Sequence, residues 1–225
     1  MRRQIITTAD GSKTIQIEEW NEQYHSIHGA IQEAQHVFIN AGLNFVLNKF
    51  NSQNISILEI GFGTGLNAYL TILEAKKNTC QVDYVGVEAY PVSEVEIKEL
   101  NYTELIESKI NSQIFDDLHN CSWEEKHKLS SYFKLTKNQL KFEDLEFNDS
   151  FNLIYFDAFG ARVQPELWTE EIFQIMYQAL KPKGILVTYS AKGSVRRAMQ
   201  AVGFTVERLP GPPGKREMLR ACKEV

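Results

Sequence analysis

The chain has 225 residues, of which 43% are hydrophobic and 24% charged, a composition that excludes disorder as its main state and suits one globular domain. No apolar run is long enough to cross a bilayer, and the opening Met-Arg-Arg-Gln leads into no apolar signal segment, so we expect a cytoplasmic protein with no membrane partner. The formal net charge of −5 argues, taken by itself, against a nucleic-acid partner.

The first fifty residues are predicted to form an arm and helices that pack on the domain formed by the rest of the chain. Residues 1–18 are predicted to form an arm with a hairpin at Asp10-Gly11, a favoured turn dipeptide. Apolar positions at helical spacing over 30–49 predict one or two helices. The pattern changes at about residue 51, so we predict one further domain over 51–225.

Strands and helices alternate over the rest of the chain. The predicted strands are 55–60, 82–87, 132–135, 151–156, 185–189, 204–209 and 217–221. The predicted helices are 66–75, 94–106, 168–180 and 193–201, and 111–128 has no clear pattern. Such alternation predicts an α/β fold, Rossmann-like, in which a mostly parallel central sheet carries helices on both faces. Ligands of such sheets bind beyond the carboxyl ends of the strands.

A glycine loop follows the first of these strands, in the order Glu59, Gly61, Gly63, Gly65. Alternate glycines let the backbone turn tightly and approach a ligand closely. A nicotinamide fingerprint requires a glycine three positions after Gly63, where this chain has leucine. The E-x-G-x-G-x-G form instead indicates a class I methyltransferase that binds S-adenosyl-L-methionine.

Two acidic residues end later strands. Glu88 lies about twenty residues after the glycine loop, where a carboxylate can accept both hydroxyls of a ribose. Asp157 begins the tetrad Asp-Ala-Phe-Gly and can hold or deprotonate an attacking amine. The tetrad departs from the Asp/Asn-Pro-Pro-Tyr/Phe form of adenine N-methyltransferases, although Phe159 could still stack on a planar base.

Basic residues are concentrated near the end of the chain, against its overall charge. Seven of them face only two acidic residues between positions 192 and 220: Lys192, Arg196, Arg197, Arg208, Lys215, Arg216 and Arg220. Such asymmetry indicates a phosphate-binding surface. By contrast, three scattered cysteines without a C-x-x-C pair, and histidines without acidic or thiol ligands at suitable spacing, predict no metal site.

Several of these blocks together resemble the methyltransferase domain of the bacterial tRNA 5-methylaminomethyl-2-thiouridine biosynthesis protein C family. They are E-x-G-F-G-T-G-L-N at 59–67, Glu88, Y-F-D-A-F at 155–159, Q-P-E-L-W-T at 164–169, V-R-R-A-M-Q-A-V-G-F at 195–204 and G-K-R-E-M-L at 214–219. The likeness runs from about Tyr24 to Ala221. It implies S-adenosyl-L-methionine as cofactor and methylation of the aminomethyl group on the wobble uridine of tRNA.

The resemblance also implies roles for individual residues. The cofactor would be bound by Glu59, Gly61, Phe62, Gly63, Gly65, Asn67, Glu88, Asn138 and Asp157. Catalytic contacts with the base would come from Asp157, Phe159, Tyr189 and Lys192. The tRNA would be held by Lys192, Arg196, Arg197, Lys215 and Arg216.

The chain departs from many relatives at two places. Where they have Gly-Asp after the third strand, this chain has Thr-Lys-Asn, so Asn138 or the backbone would address the adenine. Many relatives are also fused to a flavin-dependent oxidase, and we expect a stand-alone methyltransferase here. The alternatives are a small-molecule amine methyltransferase or aminopropyl-transfer relative, a non-catalytic RNA-binding protein on a methyltransferase fold, and a nicotinamide oxidoreductase.

Overall fold

The computed structural model describes residues 2–106 and 113–225. A central sheet of eight strands forms the middle of the molecule. Its strands are β4 (Asn54–Ile60), β5 (Gln81–Val87), β6 (Lys126–Lys128), β7 (Phe133–Asn138), β8 (Phe151–Phe156), β9 (Leu180–Thr188), β10 (Thr205–Pro210) and β11 (Glu217–Cys222). A small second sheet joins β1 (Arg3–Thr7), β2 (Lys13–Ile17) and β3 (Glu22–Gln23). The predicted α/β, Rossmann-like fold with a mostly parallel sheet is confirmed.

The order of the large sheet is β10-β11-β9-β8-β4-β5-β7-β6. Five neighbouring strands run parallel, in the order β9, β8, β4, β5 and β7. The strands β6, β10 and β11 pair antiparallel to their neighbours. The chain builds outward from β4 to β5 and β7, then returns to β8 on the other side of β4. The strand order therefore reverses between β4 and β8, and in open α/β sheets such a point is where a ligand binds.

The helices are close to those predicted, with one break. They are α1 (Ala30–Ala34), α2 (Phe45–Phe50), α3 (Leu66–Lys77), α4 (Glu94–Glu99), α5 (Tyr102–Leu105), α6 (Gln113–Asn120), α7 (Glu170–Ala179) and α8 (Gly193–Ala201). The single helix predicted over 94–106 is wrong, because Leu100 takes an extended conformation that ends α4. The start of the unassigned 111–128 segment lies outside the described residues.

A π-helical segment, Gln35–Asn44, joins α1 to α2 without a break, so residues 30–50 form one long helix. Its buried side chains, such as Phe38, pack with Tyr155 and Val187 in the core on one face of the sheet. Gly42 allows this packing, since a Cβ there would lie 3.1 Å from Val187 and 3.2 Å from Tyr155. The long helix thus belongs to the main core.

The N-terminal hairpin lies over the loops that follow β5 and β8. Its turn contains Gly11 with φ of +85°, as the Asp-Gly pair predicts. Arg3 donates a hydrogen bond to the Tyr90 carbonyl at 3.2 Å, after β5. Arg162, after β8, donates to the carbonyls of Trp20 and Asn21 at 3.1 and 3.2 Å. Within residues 2–106 and 113–225, no helix has both the length and the apolar character that crossing a membrane requires.

Candidate active site

A cavity of about 830 Å³ opens at the carboxyl ends of the parallel strands. Its walls come from the loops after β4, β5, β7, β8 and β9, the turn before β11, Glu33 of α1, and the segment 20–27 of the N-terminal arm. This volume is in the range of small-molecule and cofactor sites. The cavity also lies at the reversal of strand order between β4 and β8, so the fold places a ligand site where the sheet topology predicts one.

The glycine loop forms the floor of this cavity beside β8. Gly61, Gly63 and Gly65 have φ of +88°, +48° and +71°, a region that side chains other than glycine rarely adopt. A Cβ on Gly61 would lie 2.7 Å from the carbonyl oxygen of Asp157. The backbone N–H groups of Gly61 and Phe62 both donate to the Val87 carbonyl at 3.0 Å. The loop is therefore pinned between β5 and β8, and it leaves room for a ligand above it.

Glu88 holds its carboxylate at the edge of the same cavity. Oε2 accepts a hydrogen bond from the Gly63 N–H at 3.0 Å, and Oε1 accepts one from the Tyr90 N–H at 2.9 Å. These two hydrogen bonds fix the orientation of the carboxylate. Each ionised oxygen can accept a further hydrogen bond, so two neighbouring hydroxyl groups of a ligand could bind here.

Asn67 links the acidic residue that precedes the glycine loop to the one that follows β8. Its Nδ2 donates to Glu59 Oε1 and to Asp157 Oδ2, both at 2.9 Å. Glu59 is fully buried beneath the loop and does not line the cavity. Burial raises the pKa of Glu59 well above its ordinary value. Glu59, predicted as a cofactor contact, is therefore linked to the cavity through Asn67, which lines it.

Asp157 lines the cavity directly after β8. Burial raises the pKa of Asp157 to about 7; the Glu33 carboxylate adds to the rise, whereas the Asn67 hydrogen bond and the Lys215 ammonium oppose it. A carboxyl group that titrates near neutral pH can exchange a proton with a bound amine. Perturbed carboxyl groups in a cleft mark candidate catalytic sites.

Aromatic rings surround Phe159, which lines the cavity two residues after Asp157. Tyr24 and Trp20 meet the Phe159 ring edge-on, with centroids 4.9 and 5.7 Å away. Tyr189 lines the cavity as well, and its hydroxyl donates to the Ala158 carbonyl at 2.8 Å. These rings can accept a planar group between them.

His25 closes the wall contributed by the N-terminal arm. Its ring lies between the hydroxyls of Thr14 and Thr64, 2.9 Å from the first and 3.4 Å from the second. Burial lowers the pKa of His25 to about 4, so the imidazole is uncharged at neutral pH. Within the described ranges, histidine, cysteine and acidic side chains form no cluster of three placed to hold a metal ion.

Glu33 and Lys215 form an ion pair that also lines the cavity. The sequence predicts Lys215 as a tRNA contact, but the structure turns its ammonium inward, 4.1 Å from the centroid of the Tyr189 ring. Glu33 is missed by the sequence interpretation. A signal was present, because Glu33 shares the helical face of Ala30, Ala34 and Val37, where an acid is unexpected.

Besides Glu59, three of the predicted cofactor and catalytic residues lie outside the cavity lining: Gly65, Asn138 and Lys192. Gly65 packs under α6, where a Cβ would lie 2.7 Å from Leu118. Asn138 ends β7, which is longer than predicted, and its carbonyl accepts a hydrogen bond from the Glu88 N–H at 3.1 Å. The cavity wall beyond β7 is instead formed by residues 141–143, which the sequence interpretation missed.

The basic cluster divides into paired and unpaired residues. Arg208 pairs with Glu217 at 3.7 Å, and Arg220 pairs with Glu207 at 2.6 Å. With Lys215 paired inside the cavity, three of the seven charges are compensated. The other four are Lys192, Arg196, Arg197 and Arg216, none of which forms an ion pair with a described residue.

These four lie at the same edge of the sheet as the cavity. Lys192, Arg196 and Arg197 are at the start of α8, just after β9 ends. The register pairs Leu219 of β11 with Thr188 of β9, so Arg216, just before β11, also lies beyond the end of β9. The Nε of Arg196 is buried without a hydrogen-bond partner, whereas Lys192, Arg197 and Arg216 are exposed.

Comparisons with known proteins agree with this geometry. Residues 106–224, more than half of the chain, match a family described as S-adenosyl-L-methionine-dependent methyltransferase. The chain is 29% identical over 212 residues to the tRNA 5-methylaminomethyl-2-thiouridine biosynthesis bifunctional protein MnmC of Leptospira interrogans, covering 90% of this chain and 32% of that protein. The MnmC of Campylobacter fetus is 26% identical over 217 residues, 92% of this chain and 34% of that protein. The chain therefore spans about one third of the length of these relatives.

Solved structures show the same fold. The crystal structure of MNMC2 from Aquifex aeolicus matches with a TM-score of 0.78 at 26% identity, covering 98% of this chain and 70% of that one. Spermidine synthase from Thermotoga maritima shares the fold alone, with a TM-score of 0.61 at 14% identity over 100% of this chain and 69% of that one. The resemblance to the methyltransferase domain of the biosynthesis protein C family is thus confirmed. The chain belongs to the S-adenosyl-L-methionine-dependent methyltransferases, and S-adenosyl-L-methionine is its cofactor.

Proposed function

We propose that the protein is an N-methyltransferase that converts 5-aminomethyl(-2-thio)uridine to 5-methylaminomethyl(-2-thio)uridine at the wobble position of tRNA, in the cytoplasm. The observation that carries the proposal is Asp157, a carboxyl group with a pKa of about 7 in the wall of the cavity, between the glycine loop and an aromatic cluster. Relatives that match 90% or more of the chain are named for the biosynthesis of this nucleoside.

The glycine loop and Glu88 would hold the cofactor. Gly61 and Gly63 line the cavity without side chains of their own, and the Glu88 carboxylate is fixed at the edge of the same space, so an adenosyl group fits with its ribose on Glu88. The unpartnered Oδ1 of Asn67 is a further polar atom at this end of the cavity. When bound, S-adenosyl-L-methionine supplies a methyl group on a positively charged sulfur.

Asp157 would prepare the amine. An alkylammonium ion has no lone pair for attack, and an unperturbed one loses its proton only near pH 10. Asp157 accepts one proton from the ammonium, which leaves a neutral amine and a neutral carboxyl group. The amine nitrogen then takes the methyl group as the bond from sulfur to that carbon breaks, and the secondary ammonium product forms. A raised carboxyl pKa makes the first step less unfavourable.

The aromatic cluster would position the base. Phe159, held edge-on by Tyr24 and Trp20, presents a face on which the uracil ring can stack. Orientation of this kind accounts for much of the rate of a transfer reaction, since the reacting atoms must lie in line. The unpaired cations Lys192, Arg197 and Arg216 lie at the same edge of the sheet and suit tRNA phosphates.

Three alternatives can be distinguished from the proposed function. A small-molecule amine methyltransferase, or an aminopropyl-transfer enzyme with the fold of spermidine synthase, would not need unpaired cations outside the cavity. A non-catalytic RNA-binding protein would not need Asp157 in the cavity wall. Thermal-shift titration with S-adenosyl-L-methionine and with NAD separates the methyltransferase from a nicotinamide enzyme.

Nucleoside mass spectrometry of tRNA from a deletion strain tests the proposed reaction. Accumulation of the unmethylated aminomethyl nucleoside, reversed by the wild-type gene but not by the Asp157→Asn variant, is the expected result. Unchanged nucleosides in the deletion strain would contradict the proposed substrate.

The first prediction concerns Glu88. Replacing Glu88 with alanine removes a charged acceptor for the ribose hydroxyls, so the binding of S-adenosyl-L-methionine and its demethylated product should weaken by about 1–3 kcal/mol. Isothermal titration calorimetry measures this. Glu94→Ala, which removes an exposed carboxylate from α4, is the matched control. Equal affinities of the two variants would remove Glu88 from the cofactor site.

The second prediction concerns the unpaired cations. The Arg197→Ala/Arg216→Ala variant should bind tRNA more weakly, and its log-log salt dependence should be flatter by about one unit for each phosphate that is no longer neutralised. Lys98→Ala/Lys126→Ala removes the same charge from two residues that already form ion pairs. Filter binding across a salt series compares them. Equal slopes for the two double variants would contradict the tRNA surface.

A further inference from the structure

The Glu33–Lys215 pair lies inside the cavity, although no step of the proposed reaction uses it. Glu33 is only 6% exposed. Its Oε2 accepts a hydrogen bond from the Ser26 N–H at 2.8 Å, and Oε1 accepts one from the Lys215 ammonium. A buried carboxylate is retained only when it is well paired.

The turn before β11 fixes Lys215 in place. Its backbone N–H donates to the Pro212 carbonyl at 2.9 Å. Gly214, with φ of +83°, packs so closely on the His28 ring that a Cβ would overlap it. The Lys215 ammonium lies 4.1 Å from the centroid of the Tyr189 ring. The Tyr189 hydroxyl donates a hydrogen bond to the carbonyl of Ala158, the residue after Asp157. Both charges of the pair thus line the same cavity as Asp157.

We propose that Glu33 and Lys215 are positioning residues that act on Asp157 in opposite directions, Glu33 strengthening it as a proton acceptor and Lys215 weakening it. This inference deepens the proposed function and rests on it. The pair would set the balance between accepting a proton from the substrate ammonium and releasing it afterwards.

Three other titratable side chains interact electrostatically with Asp157. They are Glu59 on β4, Tyr84 on β5 and Tyr189 just after β9. Burial raises the pKa of each well above its ordinary value, which favours the neutral form. Two charged side chains act on the pKa of Asp157 in opposite directions: Glu33 raises it and Lys215 lowers it.

The test is a direct titration of Asp157 that needs no substrate. Carbon-13 NMR of aspartate carboxyl groups follows the titration of Asp157, and the Asp157→Asn spectrum assigns its signal. Glu33→Gln should lower the pKa of Asp157, since it removes a negative charge and frees Lys215. Lys215→Met should raise it. We expect shifts of at least about half a pH unit in each direction, with the Glu33→Gln/Lys215→Met variant between them.

The ion pair of Arg208 and Glu217 provides the matched control. It bridges β10 and β11 outside the cavity; Arg208→Met and Glu217→Gln should leave the titration of Asp157 unchanged. A pair that only fastens the turn to α1 would lower the melting temperature in both single variants without opposite shifts, and that result would overturn the inference. Opposite shifts in a protein that fails to methylate tRNA would overturn the proposed function while the action on Asp157 stood.

Discussion

Replacing Asp157 with asparagine is expected to lower kcat for methyl transfer by about 10²-fold or more, because the amide cannot accept a proton from the substrate ammonium. The amide keeps the shape of the side chain and an oxygen for the Asn67 hydrogen bond. The affinity for S-adenosyl-L-methionine should therefore stay close to that of the wild type. Single-turnover kinetics with radioactive methyl donor, together with calorimetry, separates the two quantities.

The account also predicts how kcat depends on pH. Asp157 must be ionised to accept a proton, and its pKa of about 7 lies above its ordinary value. Wild-type kcat should therefore rise as the pH rises from about 6 to 8. This limb should be absent in Asp157→Asn and present in Asp83→Asn, a control on the part-exposed edge of β5. Normal turnover in Asp157→Asn would make Asp157 a structural strand-end residue.

Replacing Gly61 with alanine is expected to have the largest effect on both stability and cofactor binding. The new Cβ would lie 2.7 Å from the Asp157 carbonyl oxygen, in a backbone conformation with φ of +88°. The loop must move to relieve this clash. We expect a loss of about 3 kcal/mol or more in the free energy of unfolding, and a cofactor affinity at least about tenfold weaker, a change of about 1.4 kcal/mol.

Gly11→Ala is a closely matched control for this variant. Gly11 has a similar φ of +85°, but nothing lies within 4 Å of a Cβ built there. The Gly11→Ala variant should therefore lose only the conformational penalty of a positive φ, about 1–2 kcal/mol, without a clash. Chemical denaturation and calorimetry of both variants isolate the effect of crowding at the loop. Equal cofactor affinities in the two variants would place the cofactor away from the glycine loop.

Local patterns predicted several elements with their correct bounds. The buried strand 151–156 and the helix 193–201 have the predicted bounds. In both, the ends of the apolar run or of the amphipathic pattern mark where the element begins and ends. The glycine loop follows from backbone conformations that only glycine adopts readily. The order of the sheet then brings Gly61 and Asp157 together at the switch point.

The remaining features depend on contacts between distant parts of the chain. The sequence predicts Lys215 as a surface cation. In the structure it lines the cavity because it pairs with Glu33, 182 positions earlier in the chain. Likewise, no local pattern places the wall of residues 20–27 over Phe159. The predicted role of Asn138 depended on where β7 ends, and strand ends are set by pairing with neighbours as much as by composition.

The most direct test of the proposed function is methyl transfer to a defined tRNA in vitro. Purified protein is incubated with S-adenosyl-L-methionine and tRNA that carries 5-aminomethyl-2-thiouridine at the wobble position, with free polyamines as competing acceptors. Mass spectrometry of the digested nucleosides and of the polyamines should show conversion to the methylaminomethyl form, no methylated polyamine, and conversion by Asp157→Asn that is slower by about 10²-fold or more. Two results would contradict the account. One is methylation of the polyamines while the tRNA stays unmethylated, and the other is binding of both tRNA and cofactor without any methyl transfer.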